Sequence, residues 1–127
     1  DFVMPVNGEI QRGQGYDYDP STEDYRFHRG LDLAAEPGEP VFCLAAGKVT
    51  AAAKDAYWGG IVVVDHGGGW SSAYRGLEPA VEAGDSLEAG AVLGRVLPSV
   101  PAEAAQTPHL HLELSLEGTS LDPTAWL

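Results

Sequence analysis

The chain has 127 residues, and its 19 Asp and Glu residues against 7 Lys and Arg residues give a formal net charge of −12. This length allows one domain, residues 1–127, whose core can hide about two-thirds of the unfolded surface. An acidic chain with a pI near 4.4 does not neutralise phosphates, so nucleic acid and anionic membrane surfaces are excluded as partners. The single Cys43 excludes an internal disulfide.

The pattern of short apolar runs between turn signals predicts an all-β domain, because no segment sustains a helical period. An acidic and aromatic stretch at 13–29 is predicted to be a long irregular arm that borders a functional site. A Pro- and Ala-rich stretch at 98–108 is predicted to be a second such loop. Between and after them the predicted strands are Val41–Leu44, Lys48–Ala52, Ile61–Val64, Ala91–Leu97 and Leu110–Leu116.

Two segments of the chain echo each other. Gly38-Glu39-Pro40-Val41 followed by Gly47-Lys48-Val49 is matched by Gly84-Asp85-Ser86-Leu87 followed by Gly94-Arg95-Val96, at offsets of 46 and 47 residues. The spacing leaves two interpretations open, an internal duplication or two ordinary strands preceded by glycine turns.

Two pairs of candidate metal ligands stand out among the four histidines. His28 and Asp32 are four residues apart, and His109 and His111 are two apart, so each pair shares one face of an extended segment. Three of these groups could bind zinc and leave a position for water, with the fourth acting as an acid or base. The open alternative is that the pairs are only hydrogen-bonded histidines.

The remaining reactive side chains point to structural roles. His66 is expected to bond to the backbone at a strand end, and Cys43 to be a buried, inert thiol. No serine nucleophile motif and no phosphate-binding loop occurs. The stretch 81–93 is similar to half of a biotinyl or lipoyl carrier domain, but no lysine follows it to carry the cofactor.

Several short motifs occur in a fixed order along nearly the whole chain. They are His28-x-Gly30-x-Asp32, Pro37-Gly38-x-Pro40-Val41, Ala46-Gly47-x-Val49, Val64-Asp65-His66-Gly67, Tyr74-x-x-Leu77, Gly84-Asp85, Gly90-x-x-Leu93-Gly94, Pro108-His109-Leu110-His111-Leu112-Glu113 and Asp122-Pro123. In this order they resemble the lysostaphin/LytM-type zinc metalloendopeptidases, which cut peptide cross-bridges in bacterial cell walls.

The resemblance implies a fold, a cofactor and a set of site residues. The fold would consist of antiparallel sheets of the duplicated hybrid motif (barrel-sandwich) type, with a groove that carries the metal site. His28, Asp32 and His111 would hold one Zn²⁺ ion, and His109 would be the catalytic general base or transition-state stabiliser. The implied substrate is a peptidoglycan peptide.

One position departs from the family pattern. The family has Tyr-x-His-Leu where this chain has Tyr74-Arg75-Gly76-Leu77, so a second active-site histidine is missing. Loss of one oxyanion-stabilising group typically costs about 3–4 kcal/mol, or roughly a hundred- to a thousand-fold in rate. Neighbouring strand positions face opposite ways, so we do not expect Arg75 to reach the site in its place.

A glycine at this position, together with the acidic and aromatic arm, resembles the sporulation protein Q branch, whose members sit on the forespore membrane and dock a partner protein. The alternative function is therefore a non-catalytic docking module of a sporulation or envelope complex. The chain opens at Asp1 without a signal peptide, so we expect a trimmed piece of an extracellular or envelope protein whose membrane anchor lies outside this sequence. The net charge fits such a tethered domain better than a free wall hydrolase.

Overall fold

The structure is a computed structural model that describes residues 2–19, 23–57, 59–98 and 108–127, with the backbone alone at 16–19 and 24–28. Its strands are β1 (Ile10–Arg12), β2 (Gly15–Asp19), β3 (Asp24–His28), β4 (Leu31–Ala34), β5 (Pro40–Phe42), β6 (Gly47–Asp55), β7 (Gly59–Gly67), β8 (Trp70–Arg75), β9 (Leu77–Pro79), β10 (Ser86–Leu87), β11 (Val92–Val96), β12 (His109–Leu116) and β13 (Thr119–Leu121). A 3₁₀ helix follows at Pro123–Ala125, capped by Asp122. The all-β prediction is confirmed, and each of the five predicted strands is present with small shifts at its ends.

Every strand pair described is antiparallel. The largest sheet has the order β1-β4-β12-β8-β7-β6-β10, with β13 also paired to β12. A three-stranded sheet has the order β5-β11-β9, and β2 and β3 form a separate hairpin. None of the described helical segments has the length and apolar character that a membrane span requires.

The internal echo is a structural repeat in which the two copies exchange strands. The first copy supplies β5 and β6 and the second β10 and β11, yet β5 pairs with β11 and β10 with β6. The two registers correspond residue by residue, as Pro40↔Arg95 with Val41↔Gly94, and Ser86↔Lys48 with Leu87↔Gly47. Matching backbone bonds run from Gly38 N to Val96 O (2.7 Å) and from Gly84 N to Val49 O (2.8 Å). The duplication interpretation is therefore confirmed.

The hydrophobic core lies beneath the face of the large sheet opposite the candidate site. Leu31 and Leu33 of β4 and Leu110, Leu112 and Leu114 of β12 are each at most 1% exposed. Burying a leucine side chain stabilises a fold by about 1.5–3 kcal/mol. These leucines therefore fix the register of the two strands that carry the candidate ligands.

The predicted irregular arm at 13–29 is wrong in its central part. Residues Gly15–Asp19 and Asp24–His28 form an antiparallel hairpin whose register sets Tyr16 opposite Phe27 and Tyr18 opposite Tyr25. The missed signal was the period of two in the aromatic residues, which is typical of strands. The predicted loop at 98–108 lies outside the described residues except at its ends, Pro98 and Pro108.

Candidate functional site

The candidate site is built on two paired strands. The register of β4 and β12 sets Asp32 opposite His111 and Ala34 opposite His109. Because side chains alternate along a strand, the two histidines and Asp32 share the face that the core leucines do not use. All three are nonetheless buried, with exposures of 0% for Asp32, 2% for His111 and 6% for His109.

The Asp32 carboxylate is the centre of this group. Its Oδ1 lies 2.8 Å from His111 Nδ1, and its Oδ2 lies 3.7 Å from His109 Nε2. A fully buried carboxylate is costly unless it has charged or hydrogen-bonding partners, and the two imidazoles supply them. The structure thus brings together three of the four residues predicted from the sequence.

The other ring nitrogen of His111 faces a second carboxylate. His111 Nε2 lies 2.9 Å from Glu113 Oε2, and the Arg75 Nε–H donates to the same oxygen at 3.1 Å. Burial raises the pKa of Glu113, but its hydrogen bonds and charge interactions with His111 and Arg75 outweigh burial and hold that pKa below its ordinary value. Carboxylates only accept, so His111 donates from both nitrogens while Asp32 and Glu113 are ionised.

Arg75 was misjudged from the sequence. It ends β8 and lies directly opposite His111 across the β8–β12 pair, so it belongs to the site face. Strand alternation does not extend past it, because β8 stops at Arg75 and Gly76 has φ of +93°. Neither Arg75 nor Glu113 was predicted as a site residue, although Glu113 follows His111 at the spacing of two that marks a shared strand face.

Gly76 forms a backbone junction where the family pattern has a histidine. Its N–H donates to Gly60 O at 3.0 Å, and its carbonyl accepts from Leu97 N at 2.9 Å. With φ at +93°, the position suits glycine and strains any residue that has a Cβ.

His28 does not share a continuous strand with Asp32, so the spacing argument for that pair is wrong. β3 ends at His28 and β4 begins at Leu31, with Gly30 at φ of +93° between them. Gly30 nevertheless brings the backbone close to the site, since a Cβ added there would lie 3.1 Å from His111 Nε2. The side chain of His28 lies outside the described residues.

His66 and Cys43 have structural surroundings, as expected. His66 Nδ1–H donates to Ala46 O at 3.0 Å, and His66 Nε2 lies 2.7 Å from Ser72 Oγ. Cys43 is fully buried, and burial raises the pKa of its thiol above the ordinary value. No local pattern indicated that both belong to one polar network centred on the buried hydroxyl of Tyr74.

A cavity of about 400 Å³ adjoins the site at the end of β4. Its described lining residues are Asn7, Gly8, Gln11, Ala34, Ala35, Glu36, Glu39 and Pro108. It therefore borders Ala34, the strand partner of His109, and Pro108, the residue before it.

The donor chemistry at Asp32 and His111 fits zinc. One carboxylate and one imidazole lie side by side on neighbouring strands, and these are ligand types that zinc takes in tetrahedral sites. The second nitrogen of His111 bonds to a carboxylate, as is usual for a metal-bound histidine. In the described part of the chain, no three His, Cys, Asp or Glu side chains are arranged to hold a metal ion, and the predicted set also needs His28.

Comparison with known proteins identifies relatives of the chain. It is 30% identical over 111 residues to DD-carboxypeptidase/endopeptidase Mpg of Neisseria meningitidis, covering 87% of this chain and 25% of the relative. It is 32% identical over 102 residues to stage II sporulation protein Q of Bacillus subtilis, covering 78% of this chain and 36% of the relative. The chain thus spans about a quarter to a third of the length of these proteins.

Solved structures and a family model agree with these relatives. A chain in the crystal structure of the SpoIIIAH and SpoIIQ complex matches with a TM-score of 0.88 at 24% identity, covering 100% of this chain and 100% of that one. The catalytic domain of lysostaphin from Staphylococcus simulans matches with a TM-score of 0.81 at 23% identity, covering 94% of this chain and 92% of that one. The model of peptidase family M23 matches residues 26–123. The resemblance inferred from the ordered motifs is therefore confirmed, and the chain belongs to peptidase family M23.

Proposed function

We propose that this chain is a zinc-binding, peptidase-like domain that acts on or binds peptidoglycan peptides, with weakened peptidase activity. The observation that carries the proposal is the buried Asp32 carboxylate between the imidazoles of His111 and His109. A buried carboxylate with imidazole neighbours on one sheet face is the kind of site that binds a divalent cation. Membership of family M23 supports a peptide as the substrate class.

Each site residue has a proposed role. His28, Asp32 and His111 hold one Zn²⁺ ion, which when bound polarises a scissile carbonyl and lowers the pKa of a bound water. His109 is not a ligand in this proposal. Its Nε2, 3.7 Å from Asp32 Oδ2, takes a proton or donates a hydrogen bond to developing negative charge.

The missing histidine at position 76 is the reason to expect weak activity. Gly76 offers only backbone groups, and both are used in hydrogen bonds to Gly60 and Leu97. The loss of one oxyanion-stabilising side chain reduces the rate by roughly a hundred- to a thousand-fold. The zinc ligands do not depend on position 76, so metal binding and hydrolysis are separable.

A second candidate function is docking of a protein partner without catalysis. It is favoured by the relative named stage II sporulation protein Q and by the absence of the histidine at position 76. The net charge of −12 also disfavours contact with anionic wall polymers. For either function we propose a location in the cell envelope, because relatives include proteins named as lipoproteins, with any anchor outside residues 1–127.

The test measures zinc content and hydrolysis of purified peptidoglycan separately. We expect one zinc per wild-type chain, lost in Asp32→Asn and retained in Asp65→Asn, which makes the same charge change at an exposed position of β7. Slow hydrolysis that disappears in His109→Ala would support the peptidase. A wild-type chain that takes up no zinc would overturn the proposal.

Docking makes the opposite prediction about His109. His109→Ala would leave capture of a protein partner from an envelope extract unchanged, whereas Tyr25→Ala or Phe27→Ala in the arm would abolish it. If capture instead follows His109 and not the arm, the docking function is wrong.

A further inference from the structure

We propose that Glu113 and Arg75 form a positioning pair that sets the ring orientation of His111 for metal binding. This inference rests on the proposed zinc site and adds two residues that touch neither metal nor substrate. Both lie on the site face of the large sheet, Glu113 two residues after His111 and Arg75 opposite His111 on β8. The pair is therefore held in a fixed register by two hydrogen-bonded strands.

The contacts form a continuous chain from the protein surface to the ligand. The Arg75 Nε–H donates to Glu113 Oε2 at 3.1 Å, and the same oxygen accepts from His111 Nε2 at 2.9 Å. Side-chain exposure falls along this chain from 23% at Arg75 to 17% at Glu113 and 2% at His111. Glu113 thus shields the ring from water and gives it one defined acceptor.

The acceptor selects one ring orientation and one tautomer. A half-turn of the His111 ring would replace both nitrogens by carbons, and neither Asp32 nor Glu113 would then have a hydrogen-bond donor. With a carboxylate at Nε2, the Nε2 proton is retained, so the proton that a metal can replace is the one on Nδ1, the nitrogen beside Asp32. Once a metal replaces the Nδ1 proton, Glu113 holds the Nε2 side of the ring.

Arg75 has a distinct part in this arrangement. Two carboxylates flank one imidazole, so a second cation is needed to balance Glu113 once His111 is a neutral ligand. Arg75 supplies that charge and holds Glu113 Oε2 in place. The exposed pair Lys54 and Glu78, at 3.3 Å with 78% and 55% exposure, has comparable chemistry without a histidine and provides the matched control.

The experiment measures zinc affinity by competition with a chromogenic chelator at one fixed pH. We expect Glu113→Leu to weaken binding by about 10- to 100-fold, as removal of such outer partners does. Glu113→Gln keeps an acceptor for the Nε2 proton and is expected to lose much less. Arg75→Met should fall between these two, and Glu78→Leu should match the wild type.

A spectroscopic measurement separates positioning from a general loss of structure. ¹⁵N NMR of the imidazoles should show His111 protonated at Nε2 in the zinc form of the wild type, and a mixture of ring states in Glu113→Leu. Circular dichroism and urea unfolding establish whether each variant is folded. If Glu113→Leu does not fold, Glu113→Gln and Arg75→Met still test the pair.

The outcomes distinguish this inference from the function on which it rests. Zinc binding by the wild type that is unchanged in Glu113→Leu and Arg75→Met overturns the positioning pair and leaves the proposed function intact. No zinc binding by the wild type overturns the proposed function. The pair is then judged on metal-free spectra, where Glu113→Leu must alter the His111 ring signals and Glu78→Leu must not.

Discussion

Removal of the Tyr74 hydroxyl is the sharpest test of the polar network beneath the large sheet. Tyr74 is fully buried, and its oxygen accepts from Leu44 N at 3.0 Å and from Ser72 Oγ at 2.7 Å. Tyr74→Phe keeps the ring and its packing but leaves the Leu44 N–H without an acceptor. Ser72 retains His66 Nε2 as a partner at 2.7 Å, so the loss concentrates on Leu44.

The magnitude follows from that one orphaned donor. A buried N–H without a partner costs about 1–3 kcal/mol, and the substitution creates no cavity larger than one oxygen atom. We therefore expect Tyr74→Phe to lower the free energy of unfolding by about 2 kcal/mol. With a typical urea dependence near 2 kcal/mol per molar, the midpoint should fall by about 1 M.

The assay is urea unfolding followed by tryptophan fluorescence and circular dichroism. Tyr57→Phe is the control, because Tyr57 is 53% exposed and surface changes usually stay within about 0.5 kcal/mol. A loss below about 0.5 kcal/mol in Tyr74→Phe would refute the argument, since it would mean that Leu44 N–H has another acceptor.

The other predictions concern two glycines and the buried thiol. Gly76→His should lower the free energy of unfolding by about 1–3 kcal/mol through strain at φ of +93°. The control is Gly13→His, because φ there is not positive and nothing lies within 4 Å of an added Cβ. Hydrolysis restored at wild-type stability would contradict this. Gly30→Ala should destabilise the fold by at least as much and weaken zinc binding, because the new Cβ would collide with Leu112 O; unchanged urea and chelator curves would show that the loop relaxes freely. Burial raises the pKa of the Cys43 thiol, so the unfolded chain loses this proton at a lower pH than the folded one. The free energy of unfolding should therefore fall as the pH rises above the ordinary pKa of a thiol. A urea midpoint that stays constant from about pH 8 to about pH 10.5 would contradict this pH dependence.

Most of the fold could be predicted because its signals are local. Short apolar runs between glycine turns predicted the five strands, and the repeated Gly-containing segments left a duplication as one of two interpretations. The exchange of β5 and β10 between the two copies could not be predicted, because the residue pattern of a strand does not determine which other strand it pairs with. The hairpin at 15–28 was missed because the density of acidic and aromatic residues was given more weight than their alternation.

The candidate site could be predicted where its residues share one strand. The shared face of His109 and His111 followed from their spacing, because that spacing is a property of β12 itself. His28 and Asp32 were related by the wrong argument, since Gly30 breaks the strand between them. Arg75 and Glu113 interact across 38 residues of sequence, and no local pattern reports a contact of that kind.

The pairing of β4 with β12 also determines when the site can exist during synthesis. Asp32 and His111 are 79 residues apart in sequence, and each of the two strands carries only one of them. At elongation rates of about 5–20 residues per second, roughly 4–16 s separate the emergence of the two residues from the ribosome. During that interval the new chain carries His28 and Asp32 of the proposed ligand set but not His111, and Leu31 and Leu33 lack their partner strand β12. The proposed three-ligand site is therefore complete only once β12 has been made.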